Sequence, residues 1–137
     1  MAIMSMTHDV DPRDDLLTAL GNTSEIEIFN NQVLVAIYVR PPMTRGGIIL
    51  PDKTRDEDRF QGKAGLVVKM GPQAFVETPN WKFDSPAALG DWVIFRPSDG
   101  WGITFPSARP TDREGVLCRV LDDIHIRGRI QHPDQVW

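Results

Sequence analysis

Cysteine is almost missing from this chain of 137 residues, with Cys118 standing alone. One thiol excludes an internal disulfide and leaves no pair for a zinc knuckle, which fits a reducing compartment. The opening Met1-Ala-Ile-Met-Ser-Met-Thr-His8 has neither a basic start nor a long apolar stretch, so no signal peptide is expected. No apolar run approaches the length of a membrane span. A basic excess is missing too: the formal net charge is −4, so nucleic acid is not an expected partner. No glycine-rich Gly-x-Gly-x-x-Gly follows a strand, and there is no Gly-x-Ser-x-Gly elbow or recognisable triad. The expected protein is cytoplasmic, touches no membrane, and has no catalytic residues, metal or cofactor.

What is present reads as one small domain. Apolar residues at 41% and charged residues at 25% are ordinary for a globular chain. Eleven glycines and eleven prolines favour short strands and turns over a helical bundle. Charge is unevenly placed. Residues 1–25 carry five acids (Asp9, Asp11, Asp14, Asp15, Glu25) against Arg13, whereas residues 26–137 carry fourteen of each sign. An acidic arm therefore precedes a neutral body, and its simplest reading is a solvated tail.

Within the arm one short helix is expected. Asp11 suits the N-cap, Pro12 the first helical position, and Asp14 and Asp15 the positive end of the dipole. Leu16, Leu17 and Leu20 form an apolar stripe that Gly21 ends. So short a helix must dock on its own barrel or on a neighbour. Strands are expected at Ile26–Phe29 and Gln32–Val39 about an Asn30-Asn31 reversal, then at Gly65–Met70, Asp91–Phe95, Gly102–Phe105 and Gly115–Leu121. Ile124, Ile126 and Ile130 mark a last one. Gln32–Val39 is apolar on both faces and so is covered on both. The pattern predicts an all-β fold, a small barrel.

Two long segments, 40–63 and 71–89, lack strand or helix patterning, and such connections tend to be functional or disordered. The first holds an apolar island, Ile48-Ile49-Leu50, behind the paired glycines Gly46 and Gly47 and ahead of Pro51. An ordinary buried strand is one reading, but polar flanks offer it no partner. The favoured reading is a loop that docks its apolar tip on another protein. Burying three such side chains gains roughly 5–9 kcal/mol. Ordering about eight residues costs roughly 8–16 kcal/mol. One loop thus binds weakly, and several on one rigid body bind collectively.

Gly46-Gly-Ile-Ile-Leu-Pro-Asp-Lys53 resembles the loop motif of the GroES-type co-chaperonins, the chaperonin-10 family. Gln32–Ala36, Gly65–Gly71, Leu89-Gly-Asp-Trp-Val-Ile-Phe95, Asp99-Gly-Trp-Gly102 and Leu121-Asp-Asp-Ile124 resemble further family segments in the right order, covering about residues 26–130. The resemblance implies a small GroES-like β-barrel with a long mobile loop and a roof hairpin at 71–89. It implies a heptameric ring whose first and last strands seal neighbouring subunits. Gly46, Gly47, Ile48, Ile49 and Leu50 would bind the partner, a chaperonin ring in its ATP-bound state. The arm 1–25 and tail 131–137 have no counterpart in housekeeping members and look more like a virus-encoded relative. The alternative is therefore a virion component, clamped to viral capsid proteins. Zinc alcohol dehydrogenases also contain a GroES-like domain, but one cysteine and no nucleotide motif exclude their chemistry. Asp123 and His125 read as an exposed polar pair, and Cys118 as inert core.

Overall fold

The computed structural model describes residues 8, 10–40, 49, 63–79, 82, 86–110, 112 and 114–135. It is built on one antiparallel sheet of six strands: β1 (Gln32–Ile37), β2 (Ala64–Met70), β3 (Trp92–Ile94), β4 (Trp101–Phe105), β5 (Val116–Asp122) and β6 (Gly128–Ile130). Their spatial order is β4-β5-β1-β2-β3-β6. Among the described residues no ladder joins the two outer strands, β4 and β6. The all-β expectation holds, and so does the one short α-helix expected in the arm.

Strand β1 lies at the centre because its residues are apolar on both faces. Val33, Leu34, Val35 and Ala36 are completely buried. Successive side chains point to opposite faces of a strand. Accordingly Leu34, Ala36 and Tyr38 join Leu66, Val68, Trp92, Cys118 and Val120 in one core cluster. Val33, Val35 and Ile37 join Val67, Val93, Phe95 and Leu121 in the other. The β1–β2 register steps from Leu34↔Lys69 to Val35↔Val67, which leaves Val68 as the extra residue of a bulge. Cys118 is fully buried, and burial pushes its thiol up to about 12, so it stays neutral and unreactive as expected.

Both ladders of β1 are occupied, by β2 and by β5. That explains one correction. Ile26–Phe29 is not a strand. Asn30 does adopt the positive φ expected of the reversal, at 57°, but no edge of β1 is free to receive a hairpin partner. The segment instead packs Ile26 and Ile28 against the first core cluster. A second correction concerns the chain end. Residues Asp123–His125 form a 3-10 turn, and only Gly128–Ile130 pairs, with β3.

The helix α1 (Pro12–Leu20) has the expected caps: the Asp11 side chain accepts from the Arg13 amide, and Gly21 ends it at φ 73°. Residues 10–25 are no loose tail. Ala19 and Leu20 are buried in the first core cluster, with Leu16 packed against it, while Leu17 points outward at 42% exposure. The Ala19 carbonyl accepts from the Ala108 amide (2.7 Å) and Ser107 Oγ (3.3 Å), and Arg109 pairs with Asp15 at 2.6 Å. The helix therefore docks on its own sheet.

The turn into β4 is held from outside. Arg119 donates to the carbonyls of Pro97 and Asp99, and Arg127 Nε to the Asp99 carboxylate at 3.3 Å. Burial raises the Asp99 carboxyl, but the bonds from Arg127 and the Arg96 amide, with the Arg127 and His125 charges, outweigh it and leave it below the usual carboxylate range.

Candidate partner-docking surface

The segment that carries the apolar island is rooted where β1 ends and β2 begins. These strands are antiparallel neighbours, with Ile37 opposite Gly65, so both ends of the segment emerge on the same side of the sheet. The root is rigid. Tyr38 continues the ladder by donating its amide to the Ala64 carbonyl at 3.1 Å, and the Lys63 carbonyl accepts from Phe95 at 3.0 Å. Tyr38 is buried, its ring edge-on to Trp92 at 5.9 Å, and Arg40 is buried just beyond it. Gly65 has no room for a side chain, since a Cβ there would sit 3.0 Å from the Ala36 carbonyl and 3.2 Å from the Phe95 ring.

Of the five residues assigned to partner binding, Ile49 is described. It carries a single β-bridge and is 70% exposed, more than any other large apolar residue described. Gly46, Gly47, Ile48 and Leu50 lie outside the described residues. So does part of the expected roof hairpin; the described part of 71–89 contains turns and one isolated bridge at Thr78.

A second apolar surface lies along the sheet's edge. Strand β4 puts Trp101, Ile103 and Phe105 on one face, and Trp101 is 57% exposed. Together with Ile26, Ile28 and the 66% exposed Phe29 they line a groove of about 520 Å³. An unpaired edge with apolar side chains is a liability unless another chain covers it. The sequence marks Ile26–Phe29 as a strand but gives no sign of this groove, because β4, which completes it, lies far along the chain.

The polar pair expected at Asp123 and His125 is corrected. Asp123 is only 4% exposed and accepts from Asn31 Nδ2 (3.1 Å) and the Phe75 amide (2.9 Å), so it fixes the 3-10 turn instead of facing solvent. The described residues with metal-ligating geometry are elsewhere: donor atoms of His8, His132 and Asp134 lie within 4.8 Å of one another. The sequence offered no sign of that cluster, since 126 positions separate His8 from Asp134.

The family model described as Chaperonin 10 Kd subunit matches residues 25–124. The chain belongs to the chaperonin 10 Kd family. No individual curated protein matches it. The family span begins just after α1 and stops within the 3-10 turn that follows β5, so it takes in β1 to β5, the island and the groove. Helix α1, strand β6 and the tail lie outside it. The order of segments that carried the resemblance, from Gln32 to Ile124, falls inside it. Among the described residues, no helix is long and apolar enough to cross a membrane.

Proposed function

We propose that this chaperonin 10 Kd family member is a co-chaperonin that assembles into a ring and caps a chaperonin in its ATP-bound state. The family match over residues 25–124 carries the reading. Gly46, Gly47, Ile48, Ile49 and Leu50 form the docking segment, and the outward-facing Ile49 supports that assignment. Each copy contributes one weak apolar contact, and the ring makes the contacts collective. Capping closes a chamber in which a client folds apart from other unfolded chains. The virion reading finds no observation in its favour.

The ring itself is supported by the two sheet edges. A head-to-tail interface, with the β4 side of one copy against the β6 side of the next, closes into a ring when the rotation permits. The groove beside Phe29 and Trp101 is the apolar part of that contact, and the family resemblance sets the expected copy number at seven. Trp101 leaves more than half its surface exposed, so its contact buries roughly 100–140 Å² and contributes about 3 kcal/mol at ~25 cal/mol per Å². Trp101→Asp is therefore expected to weaken each contact about 100-fold and convert rings to monomers in native mass spectrometry. Intact rings of the variant would remove β4 from the interface.

The functional test is refolding of a stringent client by a chaperonin and ATP, with and without this protein. The expected result is a refolding yield that rises several-fold on addition of the wild type and does not rise with Ile49→Asp. An unchanged yield with the wild type would contradict the proposal.

A further inference from the structure

The two ends of the chain meet at a cluster of chemistry-bearing side chains that the chaperone reading does not use. His8 comes from the arm, while His132 and Asp134 come from the tail beyond β6. The tail half is preformed. Gln135 Oε1 accepts from the amides of Gln131 and His132, both at 2.9 Å, and closes a 3-10 turn around the fully buried Pro133. That turn holds His132 and Asp134 on one side. The Asp134 side chain is 10% exposed, and Tyr38 Oη donates to its Oδ1 at 2.6 Å. His8 Nε2 lies 3.1 Å from Oδ2, 3.3 Å from Oδ1 and 3.4 Å from the Tyr38 hydroxyl, and Oδ2 is 3.7 Å from His132 Nδ1. The two rings meet edge-on with centroids 5.5 Å apart.

All three donor atoms lie within 4.8 Å of one another, close enough for one ion to draw them together. Tetrahedral zinc with bonds of about 2.0–2.1 Å places its donor atoms roughly 3.3–3.5 Å apart. The two separations from Oδ2 bracket that value. Two imidazoles and a carboxylate form a donor set suited to zinc, and a phenol holding the distal carboxylate oxygen is the kind of outer support that orients a ligand.

We propose that His8, His132 and Asp134 bind one Zn²⁺ ion, with water in the fourth position, and that the ion staples the arm to the tail. It takes the place of the amide hydrogen that Asp134 now donates to His132 Nδ1 at 3.1 Å. Tyr38 keeps its bond to Oδ1 and positions the carboxylate. Because all three ligands lie outside residues 25–124, the site belongs to this chain's own extensions and stands or falls apart from chaperonin capping.

The test titrates the purified, chelator-stripped full chain with Zn²⁺ alone by calorimetry and with Co²⁺ by visible absorption. The expected result is one saturable ion per chain and the intense bands of tetrahedral Co²⁺. His8→Gln and His132→Gln each lower the affinity at least about 100-fold, and Tyr38→Phe lowers it about 10-fold. His125→Gln, at the third histidine, leaves it unchanged. A readout free of variants is the imidazole nitrogen NMR of the wild type, in which zinc shifts His8 and His132 and leaves His125 in place. No saturable binding, or binding that shifts His125 instead or survives both His8→Gln and His132→Gln, overturns the proposal.

Discussion

Ile49→Asp is expected to abolish capture of the chaperonin ring in an ATP-dependent co-sedimentation assay, with the melting temperature of the variant unchanged. The two halves of that outcome have separate causes. In the isolated chain Ile49 is 70% exposed, so replacing it removes little packing. On docking, the side chain would leave water and contribute roughly 1.5–3 kcal/mol. A carboxylate in its place must instead be stripped of water in an apolar groove, which costs more than the isoleucine gained. In the proposed ring every copy would carry the same defect, and the losses would accumulate across the collective contact. Ile49→Val, which removes one methylene, should weaken capture without abolishing it. Capture by Ile49→Asp at wild-type strength would mean that the docking segment lies elsewhere.

Among the described glycines, Gly100→Ala is expected to be the most damaging single methyl addition. Gly100 opens β4 at φ 66°, a conformation that costs a residue with a Cβ about 1–2 kcal/mol. An added Cβ there would also overlap the Val120 carbonyl oxygen and come within 2.7 Å of Leu121 Cδ2. Neither neighbour can yield, because β5 is paired on both sides and Leu121 is fully buried. Forcing the turn away adds about 1–3 kcal/mol. The sum, about 2–5 kcal/mol, corresponds to a melting temperature lower by roughly 10 °C. Gly90→Ala separates the two causes. Gly90 has φ 87° but nothing within 4 Å of its added Cβ, so the variant should lose only a few degrees. Equal losses for the two variants in a thermal melt would show that close approach to β5 contributes nothing.

How far the sequence revealed this fold depends on where each element finds its partner. Val33–Ile37, Gly65–Val68 and Trp92–Val93 could be placed because alternation and unbroken apolar runs state directly which faces are covered. Helix α1 was legible residue by residue, since Asp11, Pro12 and Gly21 act within one turn of their own positions. Ile26–Phe29 had the same apolar pattern as a strand, yet whether it pairs depends on β5, ninety residues away, having filled the edge of β1. Asp123 was misjudged for a like reason: the donors that bury it, Asn31 and Phe75, are distant in sequence. Within the candidate site, the apolar character of Ile48-Ile49-Leu50 was plain from its polar flanks. The groove beside Trp101 and the meeting of His8 with Asp134 are products of topology, and no local pattern announces them.

The central claim is tested most directly by electron microscopy of a chaperonin mixed with this protein, with ATP and without nucleotide. The account predicts domes on the ends of the chaperonin particles in the presence of ATP and bare ends in its absence. Bare ends under both conditions, with the added protein folded and assembled, would contradict it.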